Sequence, residues 1–344
     1  MYSRKKISKA GEALMTAKSQ EERNAALQII NEWRSNHVFP LFGRKNALLR
    51  LMAKNNLQAL ISSQRLKRLT SIEYKLDLNP NMGLGGMQDI AGYRVVLKDV
   101  NDLKTLYNLV DSQRTSHKLL RTTDYIKTPK TSGYRSIHFV YEYSSTQQKF
   151  NGLKLELQIR TKLQHNWATA VETVGLITNT SLKSSQGSEL WLEFFKIVSS
   201  LFAIKEQLPK LEAHKDLTMN DLMVNCYHLC DELNVIKTLR AITVTIDKMT
   251  ETTHVNHYYL LNIDFVAMNV NVILYKKTQL QIATDRYLAL EKIIDINKNA
   301  VVLVSAMNMR ALKKAYPSYF LDTTEFINAL EGIQRNCIKR GLLE

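Results

Sequence analysis

The chain has 344 residues, of which 45% are hydrophobic and 23% charged, so it can form one large domain or two ordinary ones and is too apolar to be disordered. Three cysteines cannot form a disulfide framework, which favours a reducing compartment. No apolar run is long enough to cross a membrane, and the first residues lack the apolar core of a secretory signal. We therefore predict a cytoplasmic protein without membrane contact. The net charge of +15 favours a polyanionic partner, although a basic protein kept soluble by its charge fits equally well.

The first 60 residues are predicted to be helical. Apolar residues at three- and four-residue spacing predict helices over Met1–Lys18, Gln20–Ser35 and Leu41–Asn56, with Pro40 separating the last two. A basic cluster near the N-terminus is formed by Arg4, Lys5, Lys6 and Lys9. It is typical either of a nucleic-acid contact or of a solvated helix end. We assign residues 1–60 as N-terminal helices of the first domain.

Residues 61–238 alternate between strand and helix patterns. The predicted strands lie within Asp89–Leu97 and over Lys118–Tyr125, Ser136–Tyr143 and Leu153–Arg160. The predicted helices are Asn101–Gln113, Thr161–Leu176, Leu190–Lys205 and Met219–Thr238, and the predicted loops are Asn79–Gly86, Pro129–Gly133 and Thr180–Ser188. This order predicts an α+β domain with helices around a mixed sheet.

The pattern changes near residue 240. Strands are predicted over Ile242–Ile246, Tyr258–Val266, Val270–Tyr275 and Ala300–Ser305, and helices over Gln279–Ile293, Met307–Tyr316 and Thr323–Lys339. We therefore assign residues 239–344 to a second, smaller α+β module with its own apolar core.

The segment Lys154–Thr161 alternates strictly between apolar and polar residues. Leu155, Leu157 and Ile159 point to one side of a strand, and the opposite side carries Lys154, Glu156, Gln158 and Arg160. Alone, this pattern is typical of a half-buried strand with a solvated charged face. An acid beside a base on a rigid strand also suits a site for a cation and an anionic substrate.

Two upstream stretches carry matching chemistry. Arg65-x-Lys67 and Lys75 form a basic group that can bind the phosphates of a nucleoside triphosphate, although most basic runs are solvated. Asp89 follows a glycine-rich loop and precedes Arg94 by five residues. Asp89 alone is more typical of a turn or cap, but an acid at a strand start, with Glu156 as a second carboxylate, can ligate magnesium.

The loop Asp124–His138 mixes turn formers, cations and an aromatic residue. Gly133 permits a tight bend, and the Tyr134 ring can stack on a base. Cations that can reach phosphates there are Lys127, Lys130 and Arg135. A basic β-turn without a ligand is the alternative.

In their order and spacing, these motifs resemble those of the RelA/SpoT nucleotide pyrophosphokinase family over roughly residues 60–176. The resemblance extends through Glu156-Leu-Gln-Ile-Arg-Thr-Lys162 to His165 and Trp167. It implies transfer of the ATP β,γ-pyrophosphate to a ribose 3′-hydroxyl. One departure is Ser132, where members of the family often have asparagine, and this leaves the identity of the acceptor open.

The resemblance also assigns roles to residues. ATP would be bound by Arg65, Lys67, Lys75 and Arg94, with Arg65 and Arg94 flanking the adenine. Asp89 and Glu156 would serve Mg²⁺ and catalysis, with Glu156 also able to take the proton of the attacking hydroxyl. Tyr134 would stack on the acceptor nucleotide. The acceptor would further be bound by Lys130, Arg135, Gln158, Arg160 and His165. We find neither the hydrolase domain of the family nor room for the regulatory domains of its long, ribosome-associated members.

Two tyrosines, Tyr316 and Tyr319, flank a Pro-Ser break near the end of the chain. By themselves they are typical of residues that pack a module's own helices. The Tyr-x-x-Tyr spacing resembles the motif of fused toxin–antitoxin members of the family, the CapRel antiphage proteins. That resemblance implies a C-terminal zinc-finger look-alike without metal, which folds back so that its tyrosines block the ATP site near Arg65 and Arg94.

The remaining expectations follow from the same resemblance. The acceptor would be the 3′-CCA end of tRNA. The protein that releases the inhibition would be a phage protein such as the major capsid protein. The chain itself is expected to be a monomer. Cys226, Cys230 and Cys337 lack the spacing of a zinc site, so we predict no zinc and buried thiols. Two alternatives stay open: a small alarmone synthetase that makes (p)ppGpp from ATP and GDP or GTP, and an inactive fold that binds RNA or senses phage.

Overall fold

The computed structural model of the chain describes residues 2–178, 182, 187–241, 245–247, 257–264, 266–267, 269–294, 298–306, 308–320 and 322–343. The predicted loop Thr180–Ser188 lies mostly outside these residues. The predicted strand Ile242–Ile246 and the start of the helix predicted from Met307 lie partly outside them.

Three helices begin the fold: α1 (Arg4–Thr16), α2 (Gln20–Asn36) and α3 (Val38–Lys54). The side chains of Ser3 and Ser19 cap the first two helices by accepting hydrogen bonds from backbone N–H groups. The predicted start of the third helix at Leu41 was wrong, because Pro40 lies inside its first turn. A proline costs no helical hydrogen bond there, since the N–H groups of a first turn have no partner within the helix.

The central part of the chain follows as alternating strands and helices. In order these are β1 (Ile61–Leu66), α4 (Leu69–Asp77), β2 (Ala91–Leu97), α5 (Val100–Asp111), β3 (Lys118–Asp124), β4 (Ile137–Glu142), β5 (Lys154–Thr161), α6 (Lys162–Ile177), α7 (Glu189–Lys205), α8 (Met219–Glu232) and α9 (Val235–Ala241). The single helix predicted over Met219–Thr238 is two helices, because Asn234 has a φ of 49° and breaks the helical backbone.

The described residues of the C-terminal region contribute four further strands and three helices. They are β6 (Thr245–Asp247), β7 (His257–Asp264), β8 (Asn269–Tyr275), α10 (Leu280–Glu291), β9 (Asn299–Ala306), α11 (Met309–Ala315) and α12 (Thr324–Lys339). A single 3₁₀ turn, Pro317–Tyr319, follows α11 and holds the two tyrosines of the Tyr-x-x-Tyr motif.

The nine strands found in the described residues form one mixed sheet in the order β3-β4-β5-β2-β1-β9-β7-β8-β6. The β2–β5 and β6–β8 pairs are parallel, and the remaining neighbours are antiparallel. The predicted α+β class with a mixed sheet is confirmed. In the described residues the C-terminal strands join the others through one pair, Arg65 with Val304.

The C-terminal region has an apolar cluster of its own and also completes two others. Leu260 and Val301 join the core beneath β2 and β5, and Phe326 and Leu330 of α12 pack with α7 and α8. Its own cluster surrounds Tyr259 and Val302 and includes Tyr316 and Tyr319. The division into residues 1–60, 61–238 and 239–344 therefore remains a prediction. Within the described part of the chain, no helix has both the length and the apolar character needed to cross a membrane.

Candidate active site

The candidate cleft lies on one face of the neighbouring strands β1, β2 and β5. Two in-register rows of residues cross these strands: Arg65, Gly92 and Glu156 in the first, and Ser63, Arg94 and Gln158 in the second. Residues two apart on a strand point to the same side, so both rows face the cleft. Gly92 has no side chain, and the space between Arg65 and Glu156 therefore stays open.

The opposite face of β5 is the apolar core. Leu155, Leu157 and Ile159 are at most 1% exposed and belong to the central cluster, which confirms the predicted alternation. The polar face is also enclosed rather than solvated, since Glu156 is 8% exposed and Arg160 is 2% exposed. Burial of this face is consistent with a cleft in which charges interact strongly.

Asp89 lies just before β2 and bridges two lysines. Its carboxylate is 2.8 Å from Lys67 Nζ and 2.9 Å from Lys75 Nζ. Burial raises the pKa of Asp89, but the two ammonium groups outweigh that effect and hold the pKa at about 2. Asp89 is therefore ionised at neutral pH. Two cations share one carboxylate, which leaves them able to bind phosphate oxygens as well.

Glu156 accepts hydrogen bonds at both carboxylate oxygens. Its Oε1 is 2.9 Å from Nδ1 of His138, and Gln158 Nε2 donates to Oε2 over 2.7 Å. Burial raises the pKa of Glu156. The hydrogen bond and charge of His138 lower this pKa by more than burial raises it, so the net shift is downward. The structure thus provides an ionised carboxylate that can accept a proton or help to hold a cation.

Tyr134 completes a polar network beside this carboxylate. Its hydroxyl is 2.8 Å from Nε2 of His138 and accepts a hydrogen bond from Arg160 over 2.9 Å. Lys130 Nζ and Arg160 Cζ each lie 5.5 Å from the ring centroid. Gly133 provides the bend before Tyr134 with a φ of 92°. The ring is only 8% exposed here, so stacking on an acceptor base remains a prediction.

Three cations, Arg65, Lys67 and Arg94, and three acids line the cleft, and two further cations, Lys75 and Arg160, contact residues of its walls. Burial lowers the pKa of Arg94 to about 10, and the charges of Arg160 and Arg65 add to that effect, while Glu172 of α6 opposes it. Placing several guanidinium groups in one enclosed space is costly unless an anion joins them. The electrostatics of the cleft therefore favour an anionic ligand such as a nucleoside triphosphate.

Tyr316 and Tyr319 enter this cleft from the C-terminal region. The Tyr316 hydroxyl accepts from the backbone N–H of Gln64 over 2.9 Å and donates to the Gln64 carbonyl over 2.7 Å. Arg65 donates to the Tyr319 hydroxyl, and its guanidinium carbon lies 6.0 Å from the Tyr319 ring centroid. The two tyrosine rings stack at 5.8 Å, and each residue is 5% exposed. Arg94 lines the same cavity.

The remaining space in the cleft is small. The cavity measures about 120 Å³ and is lined both by Arg65, Asp89 and Glu156 and by the turn that carries Tyr316 and Tyr319. Pockets that hold drug-sized ligands measure about 300–1,000 Å³. The space between these walls is therefore smaller than a site for a nucleoside triphosphate needs.

Not every predicted site residue reaches the cleft. His165 lines it, whereas Arg135 points elsewhere. Arg135 is 4% exposed, donates to the carbonyl of Pro209 over 2.8 Å, and also contacts the Ser199 hydroxyl and the Ile126 carbonyl. Burial lowers its pKa to about 10. In this structure Arg135 ties the loop to Ser199 of α7 and to Pro209 after it, and it does not line the cleft.

Among the residues that were not assigned from sequence, Gln64 and Glu172 line the cleft, and His138 contacts Glu156 from β4. A signal existed for Glu172, which lies seven residues after His165 on α6 and hence two turns along the same helix face. His138 lies beside Gln158 in the register of β4 and β5, but that pairing cannot be read from the local pattern. Gln64 contributes its backbone, which no sequence motif reports.

The two acids fit the predicted Mg²⁺. Both are held in the ionised form and line one cavity, and magnesium usually takes one or two carboxylates together with substrate phosphates. In the described residues there is no group of three or more His, Cys, Asp or Glu placed to hold a metal by themselves. The prediction of buried thiols is confirmed, since Cys226, Cys230 and Cys337 are buried and free.

Comparison with known proteins finds a family match in the region that forms the cleft. Residues 64–174 match the family model for the region found in RelA / SpoT proteins. The chain is 30% identical over 105 residues to the GTP pyrophosphokinase YwaC of Bacillus subtilis, covering 30% of the chain and 50% of that protein. It is 38% identical over 86 residues to the GTP pyrophosphokinase YjbM of the same species, covering 24% and 39%.

Longer relatives match as well. The GTP pyrophosphokinase rsh of Brucella melitensis is 29% identical over 167 residues, which cover 44% of the chain and 21% of that protein. The chain thus spans half or less of the curated relatives' length. Among solved structures, small alarmone synthetase 1 from Bacillus subtilis bound to its product pppGpp is 23% identical, with a TM-score of 0.44, and the match covers 50% of this chain and 90% of that one.

Proposed function

We propose, from the premise that residues 64–174 form a RelA/SpoT region, that the chain transfers pyrophosphate from ATP to a ribose 3′-hydroxyl and that its C-terminal region holds this activity off at rest. The observation that carries the first part is the row of Arg65, Gly92 and Glu156, with ionised Asp89 nearby. The retained acids and cations argue against an inactive fold that only binds RNA or senses phage.

The chemistry assigned to the cleft is positioning and charge stabilisation. Lys67 and Lys75 bind the phosphates, and Arg65 and Arg94 flank the adenine. Asp89 and Glu156 hold Mg²⁺, which when bound neutralises phosphate charge and orients the phosphates. Glu156 takes the proton from the attacking hydroxyl, and His138 and Gln158 keep its carboxylate oriented for that transfer.

For the acceptor we propose the 3′-CCA end of tRNA. Support comes from the net charge of +15, which favours a polyanion over a free nucleotide. The exposed basic cluster Arg4, Lys5, Lys6 and Lys9 on α1 is a candidate contact. The alternative is GDP or GTP, with (p)ppGpp as the product, and the names of the relatives, GTP pyrophosphokinases, favour it.

The resting state is proposed to be autoinhibited. Tyr316 and Tyr319 hold the backbone of Gln64 and the Arg65 guanidinium, which are the groups that would meet the adenine end of ATP. In this proposal residues 239–344 act as the antitoxin part of a CapRel-type fusion with a zinc-finger look-alike fold. A phage protein, the major capsid protein in our proposal, binds this part, opens the cleft and so stops translation in the infected cell.

The acceptor is tested with the full chain carrying Tyr316→Ala and Tyr319→Ala, two changes that are expected to open the cleft. This variant is incubated with ATP labelled at the γ-phosphate. Bulk tRNA is offered in one reaction and GDP or GTP in another. We expect label on tRNA, lost when the tRNA lacks its terminal adenosine. Label on GDP or GTP alone would select the alternative, and no transfer to either would contradict the enzyme assignment.

A further inference from the structure

A second cavity, of about 460 Å³, lies between α3 and the C-terminal region. It forms where β1 and β9 diverge. Arg65 pairs with Val304, but in the described residues the strand pairing does not continue from there to Ser62 and Ala306. Residues of α3 and of α11 both line this space. The joint, where β1 of the first part of the sheet meets β9 of the second, therefore contains a space beside the packed core that Leu260 and Val301 share with β2 and β5.

The walls of this joint cavity are mainly apolar. They include the side chains of Leu49, Met52, Leu57, Ile61, Ala306 and Ala311. Its volume is within the range of about 300–1,000 Å³ that is typical of small-molecule sites. An empty apolar space of this size is costly to packing, because its lining atoms lose dispersion contacts. The cavity is thus a good candidate for a ligand with an apolar body.

One wall carries a buried cation. Lys45 of α3 is 9% exposed, and its ammonium donates to the Ser305 hydroxyl over 3.0 Å. None of the described acids is within ion-pair distance of Lys45, and none lines the cavity. Burial lowers the pKa of Lys45 to about 8. A buried ammonium needs a negative partner to offset its lost hydration.

Two more lysines line the same cavity. Lys277 lies over the Phe42 ring at 5.4 Å, and Lys314 lies on α11. The lining therefore combines an apolar body with three ammonium groups and offers no charge of the opposite sign among the described residues. An anion with an apolar tail complements both features.

We propose that the joint cavity binds a small amphiphilic anion, with its carboxylate or phosphate head at Lys45 and its apolar body between α3 and α11. The head accepts from the Lys45 ammonium beside Ser305, and the tail lies along Leu49 and Met52. The site is separate from the cleft that holds Asp89 and Glu156.

Ala315 lines both the joint cavity and the active-site cleft, and Tyr316 follows it directly. A ligand that contacts α3 and α11 together binds the closed arrangement better than an open one. By linkage it stabilises the closed state and lowers activity. This consequence, unlike the binding site itself, rests on the proposed function of the tyrosine turn.

The binding site is tested with decanoate, decyl phosphate and decanol, each below its micelle concentration, by titration calorimetry and thermal unfolding of the full chain. We expect both anions to bind and raise the unfolding temperature, and decanol to bind about tenfold more weakly or not at all. The stronger of the two anions identifies the head group. Lys45→Met should abolish the preference for anions while unfolding at no lower temperature than wild type, because it removes a buried charge.

Lys313→Met is the matched control, since it removes one charge from an exposed position of the same α11 helix outside the cavity. It should bind like wild type. Equal binding of decanol and decanoate, or unchanged anion binding by Lys45→Met, would overturn the site. Both readouts are independent of catalysis, so they stand if the proposed function fails. Inhibition of transfer by decanoate in wild type but not in Lys45→Met tests the regulatory step alone.

Discussion

The two parts of the nine-stranded sheet differ from the joint between them. Within the first part, β1 and β2 pair over six residues and β2 and β5 over seven. Within the second part, β7 and β9 pair over eight. Between the parts, the described backbone shows only the pair of Arg65 with Val304. Each part is held by continuous backbone ladders, whereas the joint is held chiefly by side chains.

This difference indicates how the cleft can be opened. The joint depends on the buried ion pair of Arg34 with Glu291, on the contacts of Tyr316 and Tyr319, and on α12 packing against α7 and α8. Side-chain contacts can be exchanged for those of a ligand or partner while the strands on either side stay intact. The joint cavity, at the same place, adds to this weakness.

The largest effect is expected from Glu156→Gln, which changes only the first part. Pyrophosphate transfer should fall by about 10²- to 10⁴-fold, because the amide cannot take the proton of the attacking hydroxyl. The unfolding temperature should change little, since glutamine keeps the shape of the side chain. Rate and unfolding are measured in the Tyr316→Ala, Tyr319→Ala background.

Glu142→Gln is the control, because it makes the same change on β4, where Glu142 pairs with Lys154 at the end of the strand. It should leave transfer unchanged. Near-normal transfer by the Glu156 variant would exclude Glu156 from the reaction. This conclusion would hold whether the cleft is open or closed.

The second prediction concerns the ion pair across the joint. Arg34 and Glu291 lie 2.7 Å apart with side chains at most 4% exposed, and Glu291 also accepts from the N–H of Leu69 at the start of α4. Removing one partner, as in Glu291→Gln, should cost about 3–5 kcal/mol of unfolding free energy. The double change Arg34→Met with Glu291→Met should cost clearly less, because no buried charge is left alone.

The exposed pair of Lys162 with Glu325 also crosses the joint and is the control, with side chains 47% and 59% exposed. Glu325→Gln should cost at most about 1 kcal/mol in chemical denaturation. If Glu291→Gln cost no more than Glu325→Gln, the buried pair would not hold the joint.

A smaller effect is expected from His37, which lies between α2 and α3, three residues after Arg34. Burial lowers the pKa of His37 to about 4, and the neighbouring Arg34 charge lowers it too. Between pH 6.5 and about 4 the unfolded chain binds a proton at His37 that the folded chain does not. Stability should therefore fall as the pH drops through this window, by up to about 3 kcal/mol.

The contribution of His37 is measured from denaturation curves of wild type and His37→Phe at pH 7 and pH 4.5. The loss of unfolding free energy between the two pH values is compared for the two proteins, so that the contributions of other titrating groups cancel. The variant should lose less stability than wild type on acidification. Equal losses would mean that His37 is protonated in the folded protein.

Much of the cleft could be predicted because its residues follow local patterns. The alternation on β5, the acid after the glycine-rich loop and the Tyr-x-x-Tyr spacing each lie within a few residues of sequence. The joint could not be predicted in this way. Arg34 and Glu291 are 257 residues apart, and neither belongs to a pattern that names its partner.

Arg135 illustrates the other limit. Its charge and its position beside Tyr134 favoured a phosphate contact, but its guanidinium donates to the Pro209 carbonyl, a residue 74 positions along the chain. The split between α8 and α9 was missed for a similar reason, because Asn234 adopts a positive φ that its helical neighbours do not reveal. In neither case does the residue type alone reveal the outcome.

The most direct test of closure is the affinity for a non-hydrolysable ATP analogue, measured by titration calorimetry with Mg²⁺ present. If the closed state dominates, its population reduces the apparent affinity of wild type, and Tyr316→Ala with Tyr319→Ala should bind at least about tenfold more tightly. Tyr227→Ala, on α8 and away from the cleft, should bind like wild type. Equal and tight binding by wild type and the double variant would contradict a cleft closed by Tyr316 and Tyr319.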